Sequence, residues 1–187
     1  ASQHGLLTLL DQKVIERTIA AMKRLDSLPR AISVNVSMQS ISNAGFRSAL
    51  RNLLTADRAA AGRLVFEVTS YAASRSPELT RAFSDELHRL HAGVALDNFD
   101  LDRNSMAIVH KLLPAYVKLA PAFTQQIGER EDLRFIVEAM VRMLRPLEIP
   151  LIAQGVEDAA AVVVLGGLGL AAYQGYAGGR PAPIDTA

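Results

Sequence analysis

Hydrophobic residues recur at helical spacing near the start of the chain. Between residues 6 and 25 the apolar positions fall three and four residues apart, with Lys and Arg between them. This spacing places the apolar side chains along one face of an α-helix. Pro29 follows and is expected to close the helix, because proline cannot continue the helical hydrogen bonding.

Beyond Pro29 the pattern changes to short β-branched runs that alternate with longer helical patterns. The predicted strands are residues 31–36, 63–69, 93–97, 115–119, 150–153 and 171–174. The predicted helices lie near residues 43–55, 77–91, 103–112, 131–145 and 157–167. Strict alternation of this kind is typical of a parallel sheet that is covered by helices on both faces.

Polar and charged side chains follow nearly every predicted strand. They are Asn35, Glu67, Asp97, Asn98, Lys118, Gln154 and Glu157. A doubly wound open sheet collects functional residues at one switch point, whereas a barrel collects them after many strands. The sequence therefore predicts an α/β fold with a TIM-like (β/α) barrel as one domain over residues 1–187. A closed barrel has eight strands and six are visible, so we expect the first strand or strands to be missing from this chain.

Composition narrows the classes of function. The chain has 187 residues, 50% of them hydrophobic, which supplies a substantial core. Twenty Lys and Arg residues nearly balance 19 Asp and Glu residues, and the basic residues are scattered, so neither DNA nor RNA is expected as a partner. The absence of cysteine fits a reducing compartment. The longest apolar stretch, residues 159–172, is shorter than the roughly 20 residues that span a bilayer, and no signal peptide pattern is visible.

Six short motifs occur in a fixed order on the alternating elements. They are Val34-Asn35-Val36-Ser37, Phe66-Glu67-Val68-Thr69-Ser70, Leu96-Asp97-Asn98-Phe99, Val117-Lys118-Leu119-Ala120, Gln154-Gly155-Val156-Glu157 and Gln174-Gly175-Tyr176. In this order they resemble the EAL-domain family of cyclic di-GMP phosphodiesterases, bacterial enzymes that hydrolyse a cyclic dinucleotide on a modified TIM barrel. The resemblance covers nearly the whole chain and implies the EAL type of barrel.

The resemblance implies a two-metal site whose ligands are changed here. Asn35, Glu67 and Asp97 match three first-metal positions, while Asp97, Asn98 and Gln154 match the second-metal positions. The family has carboxylates at the last two places, and the name-giving Glu-Ala-Leu motif is not in this sequence. Amide oxygens bring no negative charge to offset the repulsion between two cations. We therefore expect the metal positions to be vestigial, with the metals weakly bound or absent.

The resemblance also implies catalytic and ligand-binding positions. Lys118 matches a lysine that orients the attacking water, and without a second metal its role is vestigial, as are those of the degenerate Asn98 and Gln154. Ala120 replaces an Asp of the family pattern, and Ser70 replaces the Glu that steadies the loop after the family's fifth strand. That loop reads Phe99-Asp100-Leu101-Asp102 here, where the family has a Gly-Thr-Gly run. The residues expected to bind ligand are Asp97, Gln154, Glu157, Gln174 and Arg180.

Simpler interpretations exist for the same acidic residues. Asp97-Asn98 is also a common start of a turn, because these side chains bond their own backbone. Glu67 lies in a strand of buried type, where an unpaired carboxylate costs several kcal/mol, so an ion pair with Lys118 is the structural alternative.

Four other polar residues have ordinary structural interpretations as well. His88 and His91 are expected to be solvated or capping residues near a helix end. Gln174 lies in a segment that also fits a final strand and turn without a ligand, and Arg180 also fits an ordinary surface residue.

Three functions remain for such a domain. The first is a catalytically degenerate EAL-like receptor for cyclic di-GMP that serves as a signalling module and requires no cofactor. The second is a weakly active phosphodiesterase dependent on Mg²⁺ or Mn²⁺. The third is a scaffold that binds no nucleotide. If Asn98 and Gln154 were introduced to trap substrate, the parent would be an enzyme, but the further changes at Ser70, Asp100 and Ala120 argue against this.

The expected partners are cyclic di-GMP and a protein of a larger signalling or motility assembly, and a homodimer is allowed. The expected location is the cytoplasm, either free or tethered to the inner membrane by a segment outside this chain.

Overall fold

The computed structural model describes residues 2–24, 31–102 and 104–182, with side chains from Gly5 onward. The predictions for Leu25, Pro29 and residue 103 lie outside these residues. The described chain divides into two compact units. Unit 1 comprises the described residues up to Val68 together with residues 72–94, and unit 2 comprises residues 69–71 and 95–182.

Six strands form, as the sequence predicts. They are β1 (Ile32–Asn35), β2 (Leu64–Thr69), β3 (Gly93–Phe99), β4 (Val117–Leu119), β5 (Leu151–Gln154) and β6 (Ala172–Gln174). Their order in the sheet is their order in the chain, and β1 with β2, β3 with β4, β4 with β5, and β5 with β6 pair in parallel. The prediction of a parallel sheet is confirmed. Two predicted bounds differ by two residues: β3 continues past the predicted end at Asp97, and β4 begins at Val117 instead of residue 115.

Ten α-helices are present among the described residues. They are α1 (Ser2–Arg24), α2 (Met38–Ser42), α3 (Ala44–Ala56), α4 (Arg58–Ala61), α5 (Ser70–Arg75), α6 (Pro77–Arg89), α7 (Ser105–Leu112), α8 (Pro121–Thr124), α9 (Glu131–Leu144) and α10 (Ala159–Gly167). The predictions missed the short helices α2, α4, α5 and α8. Helices of four to six residues are too short to display a hydrophobic period.

Helix α1 is buried along only part of its predicted apolar face. Ile15, Ile19 and Met22 belong to the core of unit 1. The apolar residues of the first half are exposed instead: Leu6, Leu9, Leu10 and Val14. At 100° per residue around the helix axis, most of these four side chains lie well away from the side of α1 that contains Ile15 and Ile19. The single apolar face that the sequence predicts is therefore two separate faces.

The core of unit 1 also contains an aromatic pair. Phe66 of β2 and Phe83 of α6 are almost completely buried, and their rings meet edge to face at 6.2 Å between centroids. This geometry is favourable for aromatic side chains beyond the area that they bury. In unit 2 the interior strand β4 is buried along its whole length.

Two further observations bear on the sequence predictions. His88 and His91 are both exposed, in keeping with their interpretation as solvated residues near a helix end. Among the described residues, none of the helices combines the length and the apolar character needed to cross a membrane.

Candidate functional site

A β-bulge in β3 contains the candidate residues Asp97 and Asn98. Leu96 is in register with Val117 of β4, and Phe99 is in register with Leu119, so β3 has one extra residue between the two pairs. Asn98 takes up the irregularity with a φ of 51°, a left-handed conformation that asparagine tolerates better than most residues. The pair therefore lies inside a strand rather than at its end, which corrects the predicted strand boundary. Bulges often redirect side chains next to functional sites.

Asp97 and Gln154 are joined directly. The Nε2 amide of Gln154 donates to Oδ1 of Asp97 at 2.7 Å, across 57 residues of sequence. Both side chains are half-buried, and the acceptor is a carboxylate, so this is a charge-assisted bond of the stronger class. Two residues that the sequence assigns to metal and ligand binding therefore satisfy one another.

The register of the strands defines which residues share a face of unit 2. Lys118 pairs with Ile152, and Gln154 pairs with Gln174. Because residues two apart in a strand point to the same face, Lys118, Gln154 and Gln174 lie on one face of the sheet. Lys118 is only 8% exposed, whereas Gln174 is exposed.

The end of β5 is held in place from two sides. The Thr124 hydroxyl of α8 is buried and donates to the carbonyl oxygen of Gln154. On the other side, the Val156 amide donates to the Gln174 carbonyl at 3.2 Å. A Cβ atom on Gly175 would lie 2.1 Å from the Val156 carbonyl oxygen, so only glycine permits this close approach. The sequence analysis did not identify Thr124, whose surroundings give no motif that would single it out.

Gln174 and Arg180 line one cleft of about 490 Å³ in unit 2. The other lining residues are Tyr173, Gly175, Tyr176, Gly178, Gly179 and Pro181. The Arg180 guanidinium lies over the Tyr176 ring, with 5.4 Å between Cζ and the ring centroid, which is cation–π geometry. Among the described residues, the lining of this cleft combines the Arg180 cation, the Gln174 amide and the rings of Tyr173 and Tyr176, and includes no acidic side chain.

Glu157 lies elsewhere, in a second groove of about 320 Å³ in the same unit. Gln125, Gln126 and Asp158 also line this groove, and Asp158 is occupied as the N-cap of α10, where it accepts from the Ala161 amide. The structure therefore joins Asp97 to Gln154 by a hydrogen bond, places Gln174 and Arg180 in the same cleft, and gives Glu157 different neighbours.

The loop after β3 is closed by a local hydrogen-bond network. The buried Ser105 hydroxyl is 2.6 Å from Oδ1 of Asp102 and also contacts the Asp100 carbonyl. The Ser105 hydroxyl and the Asn104 amide, which donates to the same carboxylate, hold the pKa of Asp102 below its ordinary value. Asp102 through its carboxylate and Asp100 through its backbone carbonyl thus hold the turn that precedes α7.

The two remaining candidates lie in unit 1. Asn35, the last residue of β1, is in register with Glu67 of β2. Asn35 is exposed, whereas Glu67 is 3% exposed. The ion pair of Glu67 with Lys118 stays a prediction, as does the assignment of Asn35 and Glu67 to a metal.

The donor chemistry of unit 2 does not fit the two-metal site that the family implies. Asp97, Asn98 and Gln154 offer one carboxylate and two neutral amides, and the carboxylate already accepts from Gln154. Hard divalent cations require several oxygen ligands, with anionic charge where two metals lie close together. Within the described residues, no three or more His, Cys, Asp or Glu side chains are grouped so that they could hold a metal ion.

Comparison with known proteins identifies the family. The family model described as the EAL domain matches residues 1–181. An uncharacterized signaling protein of Caulobacter vibrioides is 31% identical over 189 residues, which cover 100% of this chain and 23% of that protein. The bifunctional diguanylate cyclase/cyclic di-GMP phosphodiesterase MucR of Pseudomonas aeruginosa is 27% identical, with 99% of this chain and 27% of MucR covered. The chain thus spans about a quarter of the length of the curated relatives it matches.

Solved structures show the same fold. The PaMucR phosphodiesterase in complex with c-di-GMP has a TM-score of 0.88 and 27% identity, and the match covers 99% of this chain and 76% of that chain. Vibrio cholerae LapD, as an S helix-GGDEF-EAL protein bound to c-di-GMP, has a TM-score of 0.82 and 26% identity, covering 92% of this chain and 42% of that chain. The resemblance predicted from six ordered motifs is confirmed: the chain belongs to the EAL domain family and has the TIM-like α/β fold of that family.

Proposed function

We propose that this domain binds cyclic di-GMP as a receptor and signalling interaction module, with little or no hydrolysis of the nucleotide. The observation that carries the proposal is the 2.7 Å hydrogen bond between the Gln154 amide and the Asp97 carboxylate. At the positions where the family pattern has acidic metal ligands, this chain has a donor and an acceptor that bond each other.

This pairing lowers the affinity for a metal in two ways. Gln154 contributes no negative charge, and its amide protons repel a cation. Asp97 must give up a charge-assisted hydrogen bond, of roughly 1.5–3 kcal/mol, before Oδ1 can ligate a metal. Without a metal to lower the pKa of a bound water, the nucleophile for hydrolysis is not generated at neutral pH. The nucleotide is then retained intact.

The cleft beside β6 supports nucleotide binding. Arg180 supplies a permanent cation for a phosphate, and Gln174 supplies an amide that can donate and accept hydrogen bonds. Of the described residues that line the cleft, none carries a negative charge that would repel an anionic ligand. Arg180 and Gln174 thus bind the nucleotide directly, without a bridging metal.

The relatives also support binding of this ligand. The MucR and LapD structures are both complexes with c-di-GMP. Because the proposed ligand contacts involve no metal, the domain requires no cofactor for binding, and Mg²⁺ or Mn²⁺ matters only for residual activity. Its further partners are a protein of a larger signalling assembly or a second copy of the chain. It works in the cytoplasm, free or tethered to the membrane by another segment.

Titration calorimetry of cyclic di-GMP into the 187-residue chain, once with Mg²⁺ and once with EDTA, tests the proposal. We expect dissociation constants that agree within about twofold, because the ligand contacts do not include a metal. Binding that disappears in EDTA would contradict metal independence, and an absence of heat in both buffers would favour the scaffold that binds no nucleotide.

Matched variants locate the binding site. Arg180→Ala and Gln174→Ala should each weaken binding about tenfold, equivalent to about 1.4 kcal/mol. Arg142→Ala is the control, since Arg142 is an exposed arginine on α9 that pairs with Glu138 four residues away and does not line the cleft of Arg180. Equal effects of the Arg180 and Arg142 variants would indicate a nonspecific charge effect and remove Arg180 from the site.

A further inference from the structure

The Arg180 side chain follows a part of the chain whose backbone has unusual freedom. Gly178 and Gly179 come directly before it, and Gly179 has a φ of 133°, a conformation that residues with a side chain rarely adopt. Arg180 itself is exposed. A long side chain that follows two glycines can place its guanidinium in many positions, so fixing it on a ligand costs entropy. A contact that holds the guanidinium beforehand reduces this cost.

The ring of Tyr176 provides such a contact. The Cζ atom of Arg180 lies over the ring, 5.4 Å from its centroid. A cation within about 6 Å of an aromatic face is attracted by the negative face of the ring, and arginine is the cation that most often adopts this arrangement. The attraction requires no hydrogen bond from the guanidinium, so its planar fork of N–H donors stays available for a phosphate.

The backbone of Tyr176 is fixed on both sides. Gly175, the residue before it, lies against the Val156 carbonyl, where a Cβ atom would not fit. The Ala177 amide, on the other side, donates to the same Val156 carbonyl oxygen at 3.0 Å. The Gly178 amide closes the turn by donating to the Gly175 carbonyl at 3.0 Å. The ring therefore extends from a well-anchored part of the chain.

We infer that Tyr176 is a positioning residue for nucleotide binding: its ring keeps the Arg180 guanidinium in the cleft, in a position to bind a phosphate. The inference rests on the proposed function, because it takes Arg180 as the residue that binds the phosphate. Both residues belong to unit 2 and line the same cleft. The sequence analysis did not assign Tyr176 to binding.

Three substitutions separate the aromatic face of Tyr176 from its bulk. Tyr176→Phe keeps a ring that attracts a cation, Tyr176→Leu keeps only apolar bulk, and Tyr176→Ala keeps neither. In titration calorimetry with cyclic di-GMP and EDTA, the Phe variant should bind like the wild type. The Leu and Ala variants should each bind about three- to fivefold more weakly, which is the size of an exposed cation–π contact.

The control removes an exposed ring elsewhere in unit 2. Phe135 of α9 is 73% exposed and does not line this cleft, so Phe135→Ala should bind like the wild type. Wild-type affinity in Tyr176→Leu would overturn the inference. A loss in Tyr176→Phe as large as in Tyr176→Leu would also overturn it, because the hydroxyl and not the ring face would then matter.

A double-mutant cycle shows whether Tyr176 acts through Arg180. The variant with both Tyr176→Leu and Arg180→Ala should bind no more weakly than Arg180→Ala alone, because no guanidinium is left to position. Losses that simply add would show that Tyr176 acts on the nucleotide by itself, and they would overturn the inference.

Nuclear magnetic resonance of the free chain tests the contact without ligand. The ring current shields nuclei over the face of a ring, so the Arg180 side-chain protons should resonate upfield of their ordinary positions in the wild type and in Tyr176→Phe. In Tyr176→Leu they should return to those positions. If the wild-type chain binds no cyclic di-GMP, the proposed function fails, and this result alone judges whether Tyr176 holds Arg180. Equal Arg180 shifts in the wild type and in Tyr176→Leu would overturn that role.

Discussion

Replacing Gln154 by glutamate turns the hydrogen bond with Asp97 into a contact between two carboxylates. The wild-type amide donates to Asp97 at 2.7 Å. In Gln154→Glu that donor becomes a second anion at the same place. Two like charges about 4 Å apart repel by about 4 kcal/mol at an effective dielectric constant of about 20, and a hydrogen bond to a charged group, worth roughly 1.5–3 kcal/mol, is lost as well.

The net loss should be smaller than the sum, because both side chains are half-buried and can move apart into solvent. We expect the free energy of unfolding of Gln154→Glu to fall by roughly 3 kcal/mol in EDTA at pH 8. In a chain of this size that loss lowers the midpoint of thermal unfolding by about 6–12 °C. Repulsion raises the pKa of one carboxyl in the folded state. The folded variant therefore binds a proton more readily than the unfolded chain, and its deficit should shrink as the pH falls from 8 to 5.

The assay is thermal unfolding with Mn²⁺ or EDTA for four proteins: wild type, Gln154→Glu, Asp97→Asn, and the variant with both changes. Mn²⁺ at a hundred times its dissociation constant should raise the free energy of unfolding of Gln154→Glu by about 2.7 kcal/mol. It should leave the stability of the wild type unchanged. The double variant exchanges donor and acceptor, so it should recover most of the stability without metal. A Gln154→Glu variant as stable as wild type in EDTA would refute the reasoning, as would a wild type stabilised equally by Mn²⁺.

Three other perturbations test packing and charge at other places in the chain. Gly175→Ala should lower the free energy of unfolding, measured with denaturant, by more than about 3 kcal/mol, because the new Cβ would overlap a backbone carbonyl. Gly166→Ala has open space at its Cβ and should be neutral or slightly stabilising. Hydrogen bonds from Arg130 lower the pKa of Asp132 to about 2. The Asp132 carboxylate should therefore stabilise the fold above about pH 4, and this stabilisation should be lost as the pH falls through about 2. Asp132→Asn should flatten that part of the curve of stability against pH. Phe66→Ala should cost about 3–5 kcal/mol by denaturant unfolding, since the ring is fully buried; a cost below about 1 kcal/mol would show that the site collapses around the change.

The sequence predicted the alternation of strands and helices because that alternation is local. Each strand, such as Leu64–Thr69, is a short β-branched or apolar run, and each long helix, such as Glu131–Leu144, has a hydrophobic period. The order of the six motifs then identified the family, which the family comparison confirms. Short helices such as Pro121–Thr124 were missed because they contain about one turn and no period.

The details of the candidate site depend on pairings that the sequence does not contain. The bulge at Asp97 and Asn98 arises from the register of β3 against β4, so a strand read alone ends too early. The bond from Gln154 to Asp97 spans 57 residues and depends on the direction of both side chains. The sequence grouped Glu157 with Gln174, yet they line different clefts because the chain turns between them.

The central proposal is that the domain binds nucleotide without cleaving it, because Asp97 and Gln154 bond each other instead of a metal. The most direct test is a time course in which the chain is incubated with cyclic di-GMP and Mn²⁺, and the nucleotide is separated by chromatography. We expect the cyclic form to be recovered intact at enzyme-to-nucleotide ratios that give complete binding. Steady, metal-dependent appearance of the linear dinucleotide, abolished by EDTA, would contradict the claim.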